Sequence, residues 1–430
     1  MASLPTASVA DTARIANDIL LPLVAQGAIV RRPMMSRLAD RVSADDRALH
    51  RVRRLRAKYS EGPLLVRLAH RTVAVVLDPT DVRRLLDNTP DPFSAATKEK
   101  AGALRHFQPH AVLVTDPPLR APRRAINEHA LDTHQPVHRH ADAMLTAIAE
   151  EFGELSGTLG WADFRDRWSR LVRRIVLGTA ARDDTEVTRL LDGLRADANW
   201  AEFHRRDTRS RRRFQQLLDE YVAKAEPGSL VGDLPPADDL DPAGQVPHWL
   251  FAFDAAGIAL WRLLAVLATR PEEAARIADE DAHHAPLLAY AGASIQESVR
   301  LWPTTLVVLR EARQATDWRG RTAPAGTQFA IVSSVFHRDD EALDFANEFV
   351  PDIWLDGRSD GQWPLIPFSA GPAVCPGRNL VLLTTSAVTS QIVAHHQLDV
   401  DPTTRDKLSG KDLPTTFDHT SIRLGFWPAR

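Results

Sequence analysis

The chain of 430 residues contains a single cysteine, Cys375. Without a second thiol there can be no internal disulfide and no multi-cysteine zinc or iron–sulfur site. Charge bias is missing too: 53 Lys and Arg against 56 Asp and Glu give a net charge of -3, which offers no footprint for a nucleic-acid partner. No Gly/Ser-rich linker, shift in composition or internal repeat divides the chain. It therefore reads as one large domain, residues 1–430, although its length alone would suggest two or three. The best membrane candidate, ILLPLVAQGAIV near the N-terminus, is too short to span a bilayer and is interrupted by Pro22, Gln26 and Gly27. No signal peptide is visible, so a soluble, cytoplasmic protein of bacterial type with no membrane partner is expected.

An apolar fraction of 44% supports a sizeable core. Apolar residues recur at helical spacing over 12–24, 48–59, 81–86, 137–154, 162–177, 184–196, 211–224, 248–269 and 287–301. Shorter runs, LLVRLAH and VAVVLD early and TLVVLR and QFAIVSSV late, read as strands. The expected fold class is mainly α with small β-sheets. The arginine-rich run HRRDTRSRRRF, from His204 to Phe214, reads as the solvated face of a helix.

Cys375 lies in the run PFSAGPAVCPGRNL, ahead of an apolar segment that reads as a helix. Gly371 and Gly377 open backbone conformations closed to other residues and let the chain pass close to a flat object. A cysteine just before a helix N-terminus is placed where unpaired N–H groups and the helix dipole favour a thiolate. The residue is a structural thiol, a nucleophile or a single metal ligand. Phe368, Gly371, Cys375 and Gly377, spaced F-x-x-G-x-x-x-C-x-G, resemble the haem-binding loop of the cytochrome P450 family. The resemblance implies a single domain enclosing haem b, with Cys375 as axial thiolate of the iron and Phe368 shielding the sulfur. Such a ligand pushes electron density toward O–O cleavage.

Other segments agree with the resemblance. WLFAFDAAGIALWRLLAVLATRP is apolar on nearly every side until Arg262 and must be buried. Asp254 is the one charge between Trp249 and Leu260, where an unpaired carboxylate is costly. It has a functional or water-linked role, or it pairs with an arginine elsewhere. In the family this helix crosses the distal haem face with an acid followed by a threonine that help deliver protons; Asp254 takes the acid position and Ala255 the threonine position. The missing alcohol leaves proton relay to a substrate hydroxyl or ordered water, or points to a peroxide-driven or coupling reaction. Glu297 and Arg300, at i, i+3, match the family's buried scaffold pair. The arginine that usually completes it is replaced by Ile353; either Trp354 fills that space by packing, or His337 or Arg338 supplies the missing donor.

By the same resemblance Arg120, Arg124 and Arg310 hold the haem propionates, and Ala373 stands where a histidine is frequent. The substrate pocket is expected in the loop from Phe93 to Val112, with Phe107, at Phe253, Ala255 and Ala256 of the distal helix, and at Leu306 and Val307; Lys98 and His110 could orient polar groups or be solvated. Arg123, Arg378 and the RVRRLRAK stretch could form a face for an acidic electron-transfer partner. The expectation is a haem-thiolate monooxygenase of a small hydrophobic or aromatic molecule in specialised metabolism, served by an external ferredoxin and reductase, with Asp254 as the catalytic acid. Alternatives are a peroxide-dependent oxidase or oxidative-coupling enzyme on the same fold, a non-catalytic haem-binding protein, and a haem-free protein with a structural thiol.

Overall fold

Proline and capping side chains set the helix starts in the computed structural model, which describes residues 2–59, 62–68, 71–201, 205–280, 287–360 and 364–429. Helices α1 (Val9–Ile15) and α2 (Leu21–Gln26) flank a π turn over Ala16–Leu20 and precede α3 (Pro33–Arg41) and α4 (Ala44–Lys58). Next come α5 (Pro79–Asp87), α6 (Lys98–Leu104), α7 (Arg120–Ala130), α8 (Ala141–Phe152), α9 (Trp161–Leu177), α10 (Thr185–Ala198) and α11 (Thr208–Lys224). The long α12 (Val246–Leu267) leads to α13 (Pro271–Ala278), α14 (Ala289–Leu301), α15 (Ser333–His337), α16 (Arg378–His395) and α17 (Pro402–Leu408). In α5, for example, the Asp78 carboxylate accepts from the Thr80 N–H and Pro79 supplies a helical φ at the first position.

The largest sheet has five strands in the order β2 (Leu64–Leu68), β3 (Arg71–Val75), β9 (Gln328–Val332), β6 (Val307–Ala312), β4 (Phe93–Ser94). Strand β3 runs parallel to β9, with Val73 opposite Gln328, and β6 runs antiparallel to β9, with Arg310 opposite Phe329. Two three-stranded sheets complete the β structure: β1 (Ala2–Ser3), β8 (Arg321–Ala323), β7 (Thr316–Trp318), and β10 (His396–Val400), β11 (Arg423–Pro428), β5 (Gly157–Gly160). The expected class, mainly α with small sheets, is the one observed.

One expected strand is corrected. QFAIVSSV is extended only to Val332, and Ser333–His337 turns helical, with the Ser334 hydroxyl donating to Asp45. The Ala69 and His70 ends of LLVRLAH, and His204 of the arginine-rich run, lie outside the described residues. From Thr208 the run enters α11, where Arg209, Arg212 and Arg213 are exposed, Arg213 pairs with Glu186, and Phe214 is buried in the core.

Helix α12 is the centre of the main core, packed with α8, α9 and α16. It is long and apolar enough to cross a membrane, and it is mostly buried inside the protein. Gly257 sits where an added Cβ would lie 2.7 Å from the Trp168 ring, so α9 and α12 approach as closely as they do only because a side chain is absent there.

The Glu297–Arg300 pair on α14 is fully buried. Arg300 Nε and Nη2 donate to the carboxylate at 2.8 and 2.6 Å, and the guanidinium also donates to the carbonyls of His337, Ala346, Phe345 and Glu348. Glu297 in turn accepts from the Val350 N–H at 2.9 Å and from the Trp354 indole N–H at 3.0 Å. Trp354 thus supplies the donor that the arginine position lacks, while Ile353 packs with Leu343, Phe345 and Ala346. Arg338 is committed elsewhere, to the carbonyls of Leu301 and Leu413 and to Asn347. Nearly every polar atom of the pair is satisfied, so removing one partner strands the other. Arg300→Leu is expected to cost about 3–5 kcal/mol, read as a lowered denaturant midpoint; an unmoved midpoint would show that the pair carries no structural load.

Candidate functional site

The loop carrying Cys375 is held from several sides by its own backbone and by neighbouring helices. The Cys375 N–H donates to the Phe368 carbonyl at 3.0 Å and the Val374 N–H to the Gly371 carbonyl at 2.9 Å, closing a tight turn just ahead of α16. Gly371 has φ +65, and an added Cβ would lie 2.2 Å from the Leu86 carbonyl oxygen at the end of α5. Arg124 of α7 donates to the Val374 carbonyl at 2.8 Å, and the Thr133 hydroxyl donates to the Pro376 carbonyl at 2.8 Å. Burial pushes the Cys375 thiol up, against the Gly377 N–H and the charges of Arg124 and Arg378, which favour the thiolate. The Gly377 N–H favours the thiolate as expected, but burial outweighs it, so the anionic sulfur calls for a cation at the sulfur itself.

At 100° per residue, Ala255 shares one stripe of α12 with His248, Phe251, Ala252, Ile258, Ala259 and Arg262. Phe253 falls on the opposite side. Its ring packs 6.1 Å from Trp168, whose indole donates to the Phe253 carbonyl at 2.7 Å, so Phe253 is a core residue of the α9 contact and not a wall beside Ala255. Phe251 takes the place expected of it: its ring meets Phe107 edge-on at 5.4 Å and lies 6.0 Å from His248. Ala256 is buried in the main core to one side of the stripe.

The Asp254 carboxylate points at α9 and α10. It accepts from Arg195 at 2.5 Å and lies 3.5 Å from Arg165. Burial raises the carboxyl, but the charges of Arg195 and Arg165 outweigh it and hold Asp254 below the usual carboxylate range. Asp254 is consequently ionised and paired at neutral pH, the arginine partnership that the sequence left open.

The other expected contacts are placed as follows. Leu306 lines a polar cavity beside α12, and Val307 opens strand β6. His110 is at the surface against Asp241, and the Lys98 side lies exposed near Glu311. The RVRRLRAK cations are largely consumed on α4: Arg51 by Asp18, Arg53 and Arg56 by Asp339, and Lys58 by Asp11. They do not form a free basic face. Arg378 is exposed and donates to Gln296, and Arg123 donates to Thr115 and to the Leu240 carbonyl.

Residues 261–417, a stretch that contains Glu297, Arg300 and Cys375, match the family model of cytochrome P450. Over that stretch the chain carries a cytochrome P450 domain. Among curated relatives, the cyclooctat-9-en-7-ol 5-monooxygenase of Streptomyces melanosporofaciens is 28% identical over 228 residues, 47% of this chain and 50% of the relative. Cytochrome P450 4c21 of Blattella germanica is 37% identical over 105 residues, 24% of this chain and 21% of the relative. In such matches this chain spans half or less of each relative's length. The solved structure of retinoic acid-bound cyanobacterial CYP120A1 superposes with a TM-score of 0.68 at 17% identity, covering 88% of this chain and 94% of that one. That likeness shows the P450 fold.

The family implies a haem iron, and the charges of this P450 fit one. Arg120 and Arg310 are buried, and each donates to neutral groups: Arg120 to the Val112 carbonyl, Arg310 to the Thr89 hydroxyl. Lys100 joins them, donating to the Ala95 carbonyl at 2.7 Å. Among the described residues none of the three has a carboxylate at ion-pair distance. Burial, then the nearby charges of Arg310 and Arg120, pull the Lys100 amine down to about 7, and burial with Lys100 pulls His248 down to about 4. Two buried arginines and a part-buried lysine, with no carboxylate at ion-pair distance among the described residues, form a seat for an anionic group such as a pair of propionates. Arg124 is not part of this cluster; it pairs with Glu128 and clamps the cysteine loop. Lys100 and Phe251 escaped the sequence reading, as did the role of Trp354 as a donor to Glu297. Lys100 carried a signal, a lysine on the apolar side of a short helix three residues beyond its Thr97 cap.

A folded-state amine near 7 against an ordinary 10.5 means that the unfolded chain binds one more proton between those values. Stability of the haem-free protein should therefore rise with pH from about 7 to about 10, and Lys100→Met should flatten that rise. An identical pH profile in the variant would place Lys100 outside the charged cluster.

Proposed function

We propose that this P450 is a haem-thiolate monooxygenase of a small hydrophobic molecule. The observation that carries the reading is the pinned Cys375 loop together with the cations Lys100, Arg120 and Arg310, which have no carboxylate at ion-pair distance among the described residues. Haem b, when bound, supplies activation of dioxygen, with the thiolate favouring O–O cleavage. Cys375 holds the iron; Phe368, Gly371 and Gly377 shape the loop around the sulfur, and Arg124 fixes it through the Val374 carbonyl. Lys100, Arg120 and Arg310 bind the propionates, and Phe107, Phe251, Ala255 and Val307 bound the apolar space in which a substrate is oriented. Cyclooctat-9-en-7-ol and retinoic acid, the molecules in the printed names of two relatives, belong to the same class of small hydrophobic compounds.

Electrons come from an external ferredoxin and reductase, in the cytoplasm, in support of a specialised pathway. The exposed Arg378 at the cysteine side is the cation best placed for an acidic partner. Asp254, held ionised by Arg195 and Arg165, is a proton acceptor or water anchor rather than a ready donor.

A second reading, a peroxide-dependent oxidase or coupling enzyme, is favoured by one observation: Ala255 carries no hydroxyl on the α12 stripe, and the neighbouring acid is already paired. Turnover with ferredoxin, reductase and dioxygen, set beside turnover with hydrogen peroxide alone, decides between them. For a monooxygenase, product forms with the reductase system and Ala255→Thr raises product per electron consumed. Product with peroxide only assigns the second reading. Ligand-induced spectral change without product under either oxidant makes the protein a non-catalytic haem binder.

A further inference from the structure

Helix α12 is open along one stripe for about two turns. His248, Phe251, Ala252 and Ala255, at i, i+3, i+4 and i+7, each keep part of their surface accessible, while Trp249, Leu250, Phe253, Ala256 and Gly257 are buried. Beyond Ala255 the stripe closes, because Ile258 and Ala259 are buried. Asp254, the other part-exposed residue of this stretch, lines a separate cavity with residues of α9 and α10. The open stripe lies inside the protein. Burial holds the His248 imidazole down at about 4, and the Phe107 ring that meets Phe251 edge-on is itself buried. An internal strip, apolar at Phe251, Ala252 and Ala255, therefore ends at one polar ring.

That ring has a fixed polarity. Its Nδ1 lies 3.1 Å from the Gln108 Oε1, which can only accept, so Nδ1 carries the proton and donates it. Burial, and then the charge of Lys100, keep the imidazole neutral at physiological pH, which leaves Nε2 with a bare lone pair. Among the described residues Nε2 has no hydrogen-bond partner.

The Gln108–His248 bond is not what docks its loop on α12. The Val112 N–H donates to the Gln245 Oε1 at 3.1 Å, and the Gln245 amide donates to the His110 carbonyl at 3.0 Å, so Gln245 fastens the loop on both sides of Ala111. What the fully buried Gln108 sets is the tautomer and the orientation of the imidazole. An acceptor beside apolar surface, with no protein donor, is satisfied by a ligand that brings an O–H.

We propose that His248 Nε2 accepts a hydrogen bond from a hydroxyl of the substrate, with Gln108 as its positioning residue, so that the substrate is an apolar alcohol oxidised about 10 Å from that hydroxyl. The span is that of the stripe: Ala255 follows His248 by seven residues, two turns of α12 less about 20°. This rests on the haem-thiolate reading above and narrows its substrate class.

The test titrates the haem-loaded protein with n-alkan-1-ols from hexanol to dodecanol and with cyclic terpenoid alcohols. Each is set beside its hydrocarbon, its methyl ether and the carbonyl compound of the same skeleton, and both the heat of binding and the spin-state shift of the haem are followed. Expected is an affinity for the best alcohol about 10-fold above that of its hydrocarbon, ether and carbonyl counterparts. In His248→Phe the alcohol falls to parity with the hydrocarbon, whose own affinity is unchanged. Gln108→Leu loses the preference and Gln108→Glu keeps it, because a carboxylate oxygen still accepts from Nδ1; loss in both would overturn the positioning role of Gln108. If no alcohol binds more tightly than its hydrocarbon, the proposal is overturned without reliance on any variant, and a carbonyl compound that matches its alcohol overturns it too. A preference that survives in His248→Phe has the same consequence. A ferric spectrum lacking thiolate ligation would defeat the haem reading, and with it this proposal; a thiolate spectrum without alcohol preference defeats the proposal alone.

Discussion

Everything near the cysteine depends on one buried charge pair. Arg300 reaches Glu297 on its own helix and, with its remaining N–H groups, four backbone carbonyls between His337 and Glu348. A long irregular segment with no sheet or helix to satisfy its carbonyls is organised by a single guanidinium. Glu297 fastens the same segment from the other side through Val350 and Trp354. Such a pair is an expensive way to gain stability, because both charges lose their hydration. What it contributes is a fixed geometry for the chain that runs from α15 towards the Cys375 loop. There the His337 Nε2 receives the Ile366 N–H at 3.1 Å, two residues before Phe368.

A second constraint is the distribution of unneutralised positive charge. Around α6, α7 and β6 the cations Lys100, Arg120 and Arg310 lie together with no carboxylate at ion-pair distance among the described residues. This cluster is the one proposed above to hold the haem propionates. Other buried arginines are held in two ways: Arg195 by Asp254, and Arg173 and Arg338 by backbone carbonyls and neutral side chains.

The cysteine loop was legible because its requirements are local: Gly371 must adopt a positive φ under the Leu86 carbonyl, and the turn closes between Phe368 and Cys375. Long helices were legible for the same reason, since a period of 3.6 needs only a window of apolar residues. Helices of one or two turns, such as α13, α15 and α17, offered too few residues for a period. Phe253 and Phe251 show the deeper limit. The sequence marks both as apolar, but only the insertion of Trp168 against Gly257 sets the rotation of α12 and sends Phe253 to the core and Phe251 to Phe107. Trp354 is similar: a tryptophan after Ile353 suggests packing, and its role as donor depends on where a turn 57 residues along the chain brings its indole.

The central claim is that Cys375 holds iron through its sulfur. The most direct measurement is the absorption spectrum of the haem-supplemented protein, reduced and exposed to carbon monoxide, beside Cys375→Ala. The account predicts a thiolate-type Soret shift in the native protein that is lost in the variant. A histidine-type spectrum in both, or no haem in either, would contradict it.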